Sequence, residues 1–152
     1  EAMRTFLHLL TTLDPTHARP RVFLCGDMRE LGEHSAREHE ALATLLPGIA
    51  DYVYGVGTET KQHIITYLER THASTSFKEV RWFPTAIALG EYLQRTLPNH
   101  ALILAKGSQN TIFMEEALNI ILRTQEDRAR LCRQEPYWQT MKKNFFATKT
   151  GA

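Results

Sequence analysis

Two short loops hold the residues that could do chemistry. In the first, Gly26-Asp27-Met28 ends the apolar run Val22-Phe23-Leu24-Cys25. An aspartate at that point could orient an amine, a ribose hydroxyl or a metal-bound water. It could equally cap the loop or the next helix by accepting backbone N–H groups. Glu30 and Glu33 suit a solvated loop and a helix first turn, where the dipole favours carboxylates. In the second loop, Lys106-Gly107-Ser108 follows the apolar run Leu102 to Ala105. Glycine lets the backbone approach a ligand, amides at a helix start suit an anion, and the lysine adds charge. A carboxylate or phosphate is the natural guest; an ordinary turn with a solvated lysine is the plain alternative. Gln109 and Asn110 could read polar groups of a ligand or satisfy the turn. His34 and His39 stand five residues apart, which does not put them on one helical face as metal ligands, and they read as surface histidines. No metal site is expected.

Other chemistries lack their signatures. There is no HExxH, no G-x-S-x-G and no close cysteine pair. Gly26 and Gly32 do not make G-x-G-x-x-G, which argues against a dinucleotide oxidoreductase or a methyltransferase. There is no G-x-x-x-x-G-K-[ST] either, so a loop that grips a nucleoside triphosphate would have to lie outside these residues.

The elements that must position the two loops follow from periodicity. Met3, Phe6, Leu7, Leu10 and Leu13 predict a helix that Asp14-Pro15 ends. The run 22–25 has the make-up of a strand buried on both faces. Ser35 with Glu38 predicts a capping box opening a helix through Leu42, Leu45 and Leu46, stopped by Pro47-Gly48. Asp51 to Val56 predicts a strand, and Ile64, Ile65 and Leu68 the helix behind it. Val80 to Phe83 predicts a third strand, with Pro84 in the first turn of a helix reaching Leu97. Ala101 to Ala105 is the fourth strand and Ile112 to Leu122 its helix. Helix, then strand-helix four times with short links, predicts an α/β Rossmann-like fold. Its sheet is mainly parallel with helices on both faces, a three-layer α/β/α sandwich. Such sheets bind ligands at the carboxyl ends of their strands, where both loops fall. After Thr124 a short helix is expected over 126–133, broken by Pro136-Tyr137-Trp138. From Arg123 onward there are seven Lys or Arg against three Asp or Glu. Tyr137, Trp138, Phe145 and Phe146 are expected to pack on the sheet edge while the lysines stay solvated.

With 152 residues, 43% hydrophobic and 23% charged, the composition is that of one globular domain. A net charge of +1 does not ask for nucleic acid or an acidic membrane. Cys25 and Cys132 read as free buried thiols, which fits a reducing compartment. No signal peptide is evident, and no apolar run approaches the roughly 20 residues of a membrane span. The opening Glu1-Ala2-Met3 falls in mid-helix pattern, as in a piece of something longer.

Taken together, GDMRELGEHSAREHE (Gly26 to Glu40) and LILAKGSQNTIFMEEAL (Leu102 to Leu118) resemble the C-terminal domain of the Mur ligase family. The matching positions are Gly26-Asp27-Met28, Glu30-Leu31-Gly32, His39, Lys106-Gly107-Ser108 and Met114-Glu115. Glu1 to Arg4 resembles the start of the helix leading in from the family's central domain. The likeness runs from residue 1 to about residue 123; the tail departs from the usual pattern. It implies residues 1–20 as helix and connector from a central domain, 21–123 as the C-terminal ligase domain, and 124–152 as a basic, aromatic tail packed on it. It further implies a cytoplasmic bacterial amide ligase of peptidoglycan synthesis that adds D-alanyl-D-alanine to a UDP-MurNAc-tripeptide through an acyl phosphate. ATP and Mg2+ would be bound mainly by the central domain, and the partners would be the central and N-terminal ligase domains. In that frame Asp27, Met28, Lys106, Gly107, Ser108, Gln109 and Asn110 are substrate-binding, Gly26 and Asp27 lie near the nucleotide, and no catalytic residue is expected on this domain alone. A ligase domain using another amino acid is one alternative. A stand-alone module on this fold that binds a small anion or a partner is the other.

Overall fold

The computed structural model describes residues 2–71, 76–108 and 111–150. Four strands, β1 (Arg21–Gly26), β2 (Tyr52–Val56), β3 (Glu79–Phe83) and β4 (Leu102–Lys106), form one sheet in the order β3-β2-β1-β4. All three pairings are parallel, with Leu24 beside Tyr54 on one flank and beside Ala105 on the other. Every residue of central β1 is buried, as its unbroken apolar run predicts.

Alternate β1 side chains feed two cores. Phe23 and Cys25 join Leu7 and Leu10 of α1 (Ala2–Leu13), Leu42 of α2 (Ser35–Ala43) and Leu68 of α4 (Thr66–Thr71). Val22 and Leu24 join Leu89 and Leu93 of α5 (Ala86–Thr96) and Ala117 of α6 (Glu115–Ile121). The result is the expected three-layer α/β/α sandwich. Short α3 (Thr58–Thr60) runs into α4 through a π-helical turn, Lys61–Ile65. There Thr66 gives both its N–H and its hydroxyl to the Lys61 carbonyl.

Several local expectations are corrected. Ser35 is not an N-cap: a 3-10 turn (Gly32–His34) precedes it, and its hydroxyl donates to Glu59 at 2.7 Å. Helix α2 stops at Ala43, although Leu46 beyond it stays buried. Thr85, not Pro84, starts α5, its hydroxyl oxygen accepting the Ala88 N–H at 3.1 Å. Helix α6 starts at Glu115, because the chain turns first through Phe113 at φ 49°. The helix expected over 126–133 is only α7 (Gln125–Ala129), and Cys132 lies exposed beyond it. Pro136 opens rather than breaks a helix, α8 (Pro136–Thr150), since proline costs nothing in a first turn.

Helix α8 docks through charge as well as rings. Phe145 and Phe146 lie 5.3 and 6.2 Å from Phe113, while Tyr137 is exposed. Arg133 grips Glu115 with two bonds, Nε to Oε1 at 2.7 Å and Nη2 to Oε2 at 2.6 Å. Lys142, expected in solvent, is buried and reaches Glu116 at 2.7 Å and Glu115 at 3.2 Å. Burial alone would raise the Glu115 pKa. The Arg133 hydrogen bonds, its own backbone N–H and the Arg133 charge outweigh that and hold it below 4.5.

Candidate functional site

The carboxyl ends of β1 and β4 bring the two loops together. A Cβ on Gly26 would stand 2.7 Å from the Ile112 side chain and 3.2 Å from Gly107 Cα, so glycine permits the approach. Just beyond, the Ser108 N–H donates to the Asp27 carbonyl at 3.2 Å, and the Ser108 hydroxyl oxygen accepts the Arg29 N–H at 2.8 Å. The Arg29 guanidinium then reaches Thr111 Oγ1 at 3.0 Å. Two loops separated by some 80 positions are thus stitched into one wall.

Asp27 faces the start of α3. Its Oδ1 accepts the Thr60 N–H at 2.8 Å. Its carboxylate fills the space where a side chain on Gly57 would begin, and Gly57 sits at φ 110°. The capping alternative for Asp27 is therefore real, but the helix it serves follows β2, not β1. Cys25, two residues back, is no nucleophile: burial, then the Asp27 charge, push its thiol up to about 12.

His39 is the residue that sequence reasoning placed wrongly. It is fully buried, with Nε2 accepting the Met28 N–H at 3.0 Å and Nδ1 facing the Ser35 carbonyl at 2.8 Å. A carbonyl can only accept and an N–H can only donate, so these partners put the ring proton on Nδ1. His39 pins the Met28 end of the loop to α2. The available signal was its spacing of three, four and seven residues to the buried Leu42, Ala43 and Leu46. His34 is exposed, as expected, and so are Glu30 and Glu33. Gln109 and Asn110 lie outside the described residues.

Three hollows meet at Asp27. One of about 180 Å³ is lined by Met3, Met28, Arg29, Lys106, Gly107 and Ser108 together with Asp27. It pairs two cations with one carboxylate. A second, about 430 Å³, opens toward Trp82 and α8. The third, about 390 Å³, runs along Met28 to Gly32 toward Glu59. A larger cavity of about 720 Å³ lies around Asn99, His100 and Leu122, at the amino end of β4 and away from both loops. Loop-built hollows at the carboxyl edge are where open parallel sheets bind ligands, which makes the Asp27 hollows the candidate site. No group of three or more His, Cys, Asp or Glu able to hold a metal ion occurs among the described residues.

The fold is a Rossmann-like α/β domain with a polar, two-loop hollow at its sheet edge. The family model described as Mur ligase, glutamate ligase domain matches residues 1–109, and the chain belongs to this family as a Mur ligase C-terminal domain. Among solved structures it is similar to the MurF ligase from Thermotoga maritima in complex with ADP, with a TM-score of 0.58 and 21% identity. That match covers 78% of this chain and 25% of the ligase, so the chain spans about a quarter of its length. At that identity the likeness is one of fold. No curated protein matches the chain.

Proposed function

We propose that this chain is the amine-delivering domain of an ATP-dependent amide ligase acting in peptidoglycan synthesis, one that joins D-alanyl-D-alanine to a UDP-MurNAc-tripeptide in the manner of a UDP-N-acetylmuramoyl-tripeptide–D-alanyl-D-alanine ligase. The observation that carries the reading is the small hollow that Lys106, Arg29 and Asp27 line together with Gly107 and Ser108. A zwitterion fits that charge layout. Lys106 takes the dipeptide carboxylate, Asp27 lies by the ammonium, and Met28 and Ser108 shape the space between them. Gly26 and Asp27 border the nucleotide side. Gln109 and Asn110 belong to the same substrate-binding set.

In the reaction the amine nitrogen attacks the carbonyl carbon of the donor's acyl phosphate. A C–N bond forms, the C–O bond to phosphate breaks, phosphate leaves, and the nitrogen gives up a proton. Activation by ATP supplies the leaving group, because a free carboxylate is a poor electrophile. The residues here do not suit the triphosphate: they contain no P-loop and no acidic metal cluster among those described. ATP and Mg2+ are assigned to a central domain, with which this one closes to exclude water. The setting is the bacterial cytoplasm, and no described helix is long and apolar enough to cross a membrane.

The size of the native polypeptide tests the reading. Immunoblot and intact mass from source cells are expected to show a product about three times this length, with an ATP loop encoded upstream. A product of 17.4 kDa would overturn it and favour a stand-alone anion-binding or partner-binding module.

A further inference from the structure

Asp27 also lines the groove of about 430 Å³, which is walled by α8 through Phe145 and Lys149. Among the described residues, Asp27 is the one that both hollows share. The small hollow takes in Met3, packed on the α1 side core, whereas the groove takes in Val56 and Ile112 of the other core, where Phe146 of α8 packs, along with Trp82. Formation of an amide needs two reactants to meet. If the amine lies at Asp27 with its carboxylate toward Lys106, the acyl donor has to reach Asp27 from another direction, and the α8 groove provides it.

The lining of the groove fits such a donor. Trp82, Ile112 and Phe145 supply apolar walls, while Thr58, Thr85 and Thr111 supply hydroxyls. Lys149 is an exposed cation 5.8 Å from the centre of the Phe145 ring. The wall is also firmly seated. Lys142, Phe145 and Lys149 follow one another at spacings of three and four, so they share a face of α8. Lys142 on that face is buried in the Glu115 and Glu116 ion pairs.

We propose that α8 forms the acyl-donor side of the site. Lys149 holds the donor's reacting carboxylate or its acyl phosphate, and Phe145 with Trp82 packs the apolar part of the donor peptide. The inference rests on the amide-ligase reading and extends it to a stretch beyond the family-matched residues 1–109.

The test is steady-state kinetics of the complete ligase carrying Lys149→Met, with donor, dipeptide and ATP varied in turn. The donor KM is expected to rise about tenfold, the loss of one charge-assisted contact, with dipeptide and ATP KM values within about twofold of wild type. Lys149→Arg should restore the donor KM. An unchanged donor KM, or a rise confined to the dipeptide or ATP, would overturn the proposal while leaving the ligase reading intact. A wild-type enzyme that releases no phosphate in response to any amine would instead remove the ligase reading, and this subsite with it.

Discussion

His39 shows how much of this site depends on single buried polar groups. Its ring accepts the Met28 N–H and is itself held by the Ser35 carbonyl. In His39→Leu that N–H would lose its acceptor inside the protein, a loss of about 1–3 kcal/mol in unfolding free energy by denaturant titration. The same variant should loosen the Asp27 loop. Gly57→Ala belongs to the same scale: its Cβ would meet the Asp27 carboxylate at a φ of 110°, so both the backbone and Asp27 would have to shift. A thermal melt should show a clear drop, whereas Gly48→Ala, with φ 77° but nothing nearby, should suffer from backbone strain alone. Lys106→Ala addresses function. In the complete enzyme it should mainly raise the dipeptide KM, and an unchanged KM with a normal melt would remove Lys106 from the site.

At the scale of elements, the strands were legible and the helix ends were not. The four expected strands match β1 to β4 within about one residue, most plainly in β1, where a strand buried on both faces needs an unbroken apolar run. Helix limits depend on partners far away in the chain. Ser35 has the composition of a cap, yet its hydroxyl turns to Glu59 on the neighbouring helix. Helix α8 was hidden because Pro136 was read as a breaker and its lysines as solvated. What buries Lys142 is a pair of acids 26 and 27 positions earlier, which periodicity cannot reveal. That network gives α8 a distinct weakness. Arg133→Met would leave Glu115 buried with only Lys142 as a cationic partner, and should cost roughly 2–4 kcal/mol of stability. Acid should act in the same direction. The carboxyls of Glu115, Asp14 and Asp51 are all held below their ordinary values; burial opposes this in each case. Hydrogen bonds and nearby cations outweigh it: for Glu115 from Arg133, for Asp14 from the Arg19 and Ala18 backbone and the charge of Arg21, and for Asp51 from the Arg21 backbone and from His17. With native pKa values depressed, the folded state binds fewer protons than the unfolded one. Stability is therefore full above the ordinary values of 4.5 and 3.8 and falls as the pH drops through and below them. Chemical denaturation from pH 7 to pH 3 should show the decline beginning near pH 4.5.

At the scale of the whole molecule, the fold gathers its charged loop residues at one edge of the sheet. The sheet edge supplies two cations and a carboxylate around a small hollow, and α8 adds a third cation beside a larger groove. That arrangement suits holding and orienting reactants. The Gly-Asp-Met and Lys-Gly-Ser loops were readable because glycine and charge at strand ends carry local meaning. The meeting of three hollows at Asp27 was not, since it arises from strand order β3-β2-β1-β4 rather than from any one motif. The most direct test is phosphate release by the complete, ATP-supplied polypeptide with its UDP-linked peptide donor, measured against a panel of amines. Release is expected to depend on D-alanyl-D-alanine and to be weak with single amino acids, as an amide ligase of this specificity requires. Equal release with and without the dipeptide would contradict it.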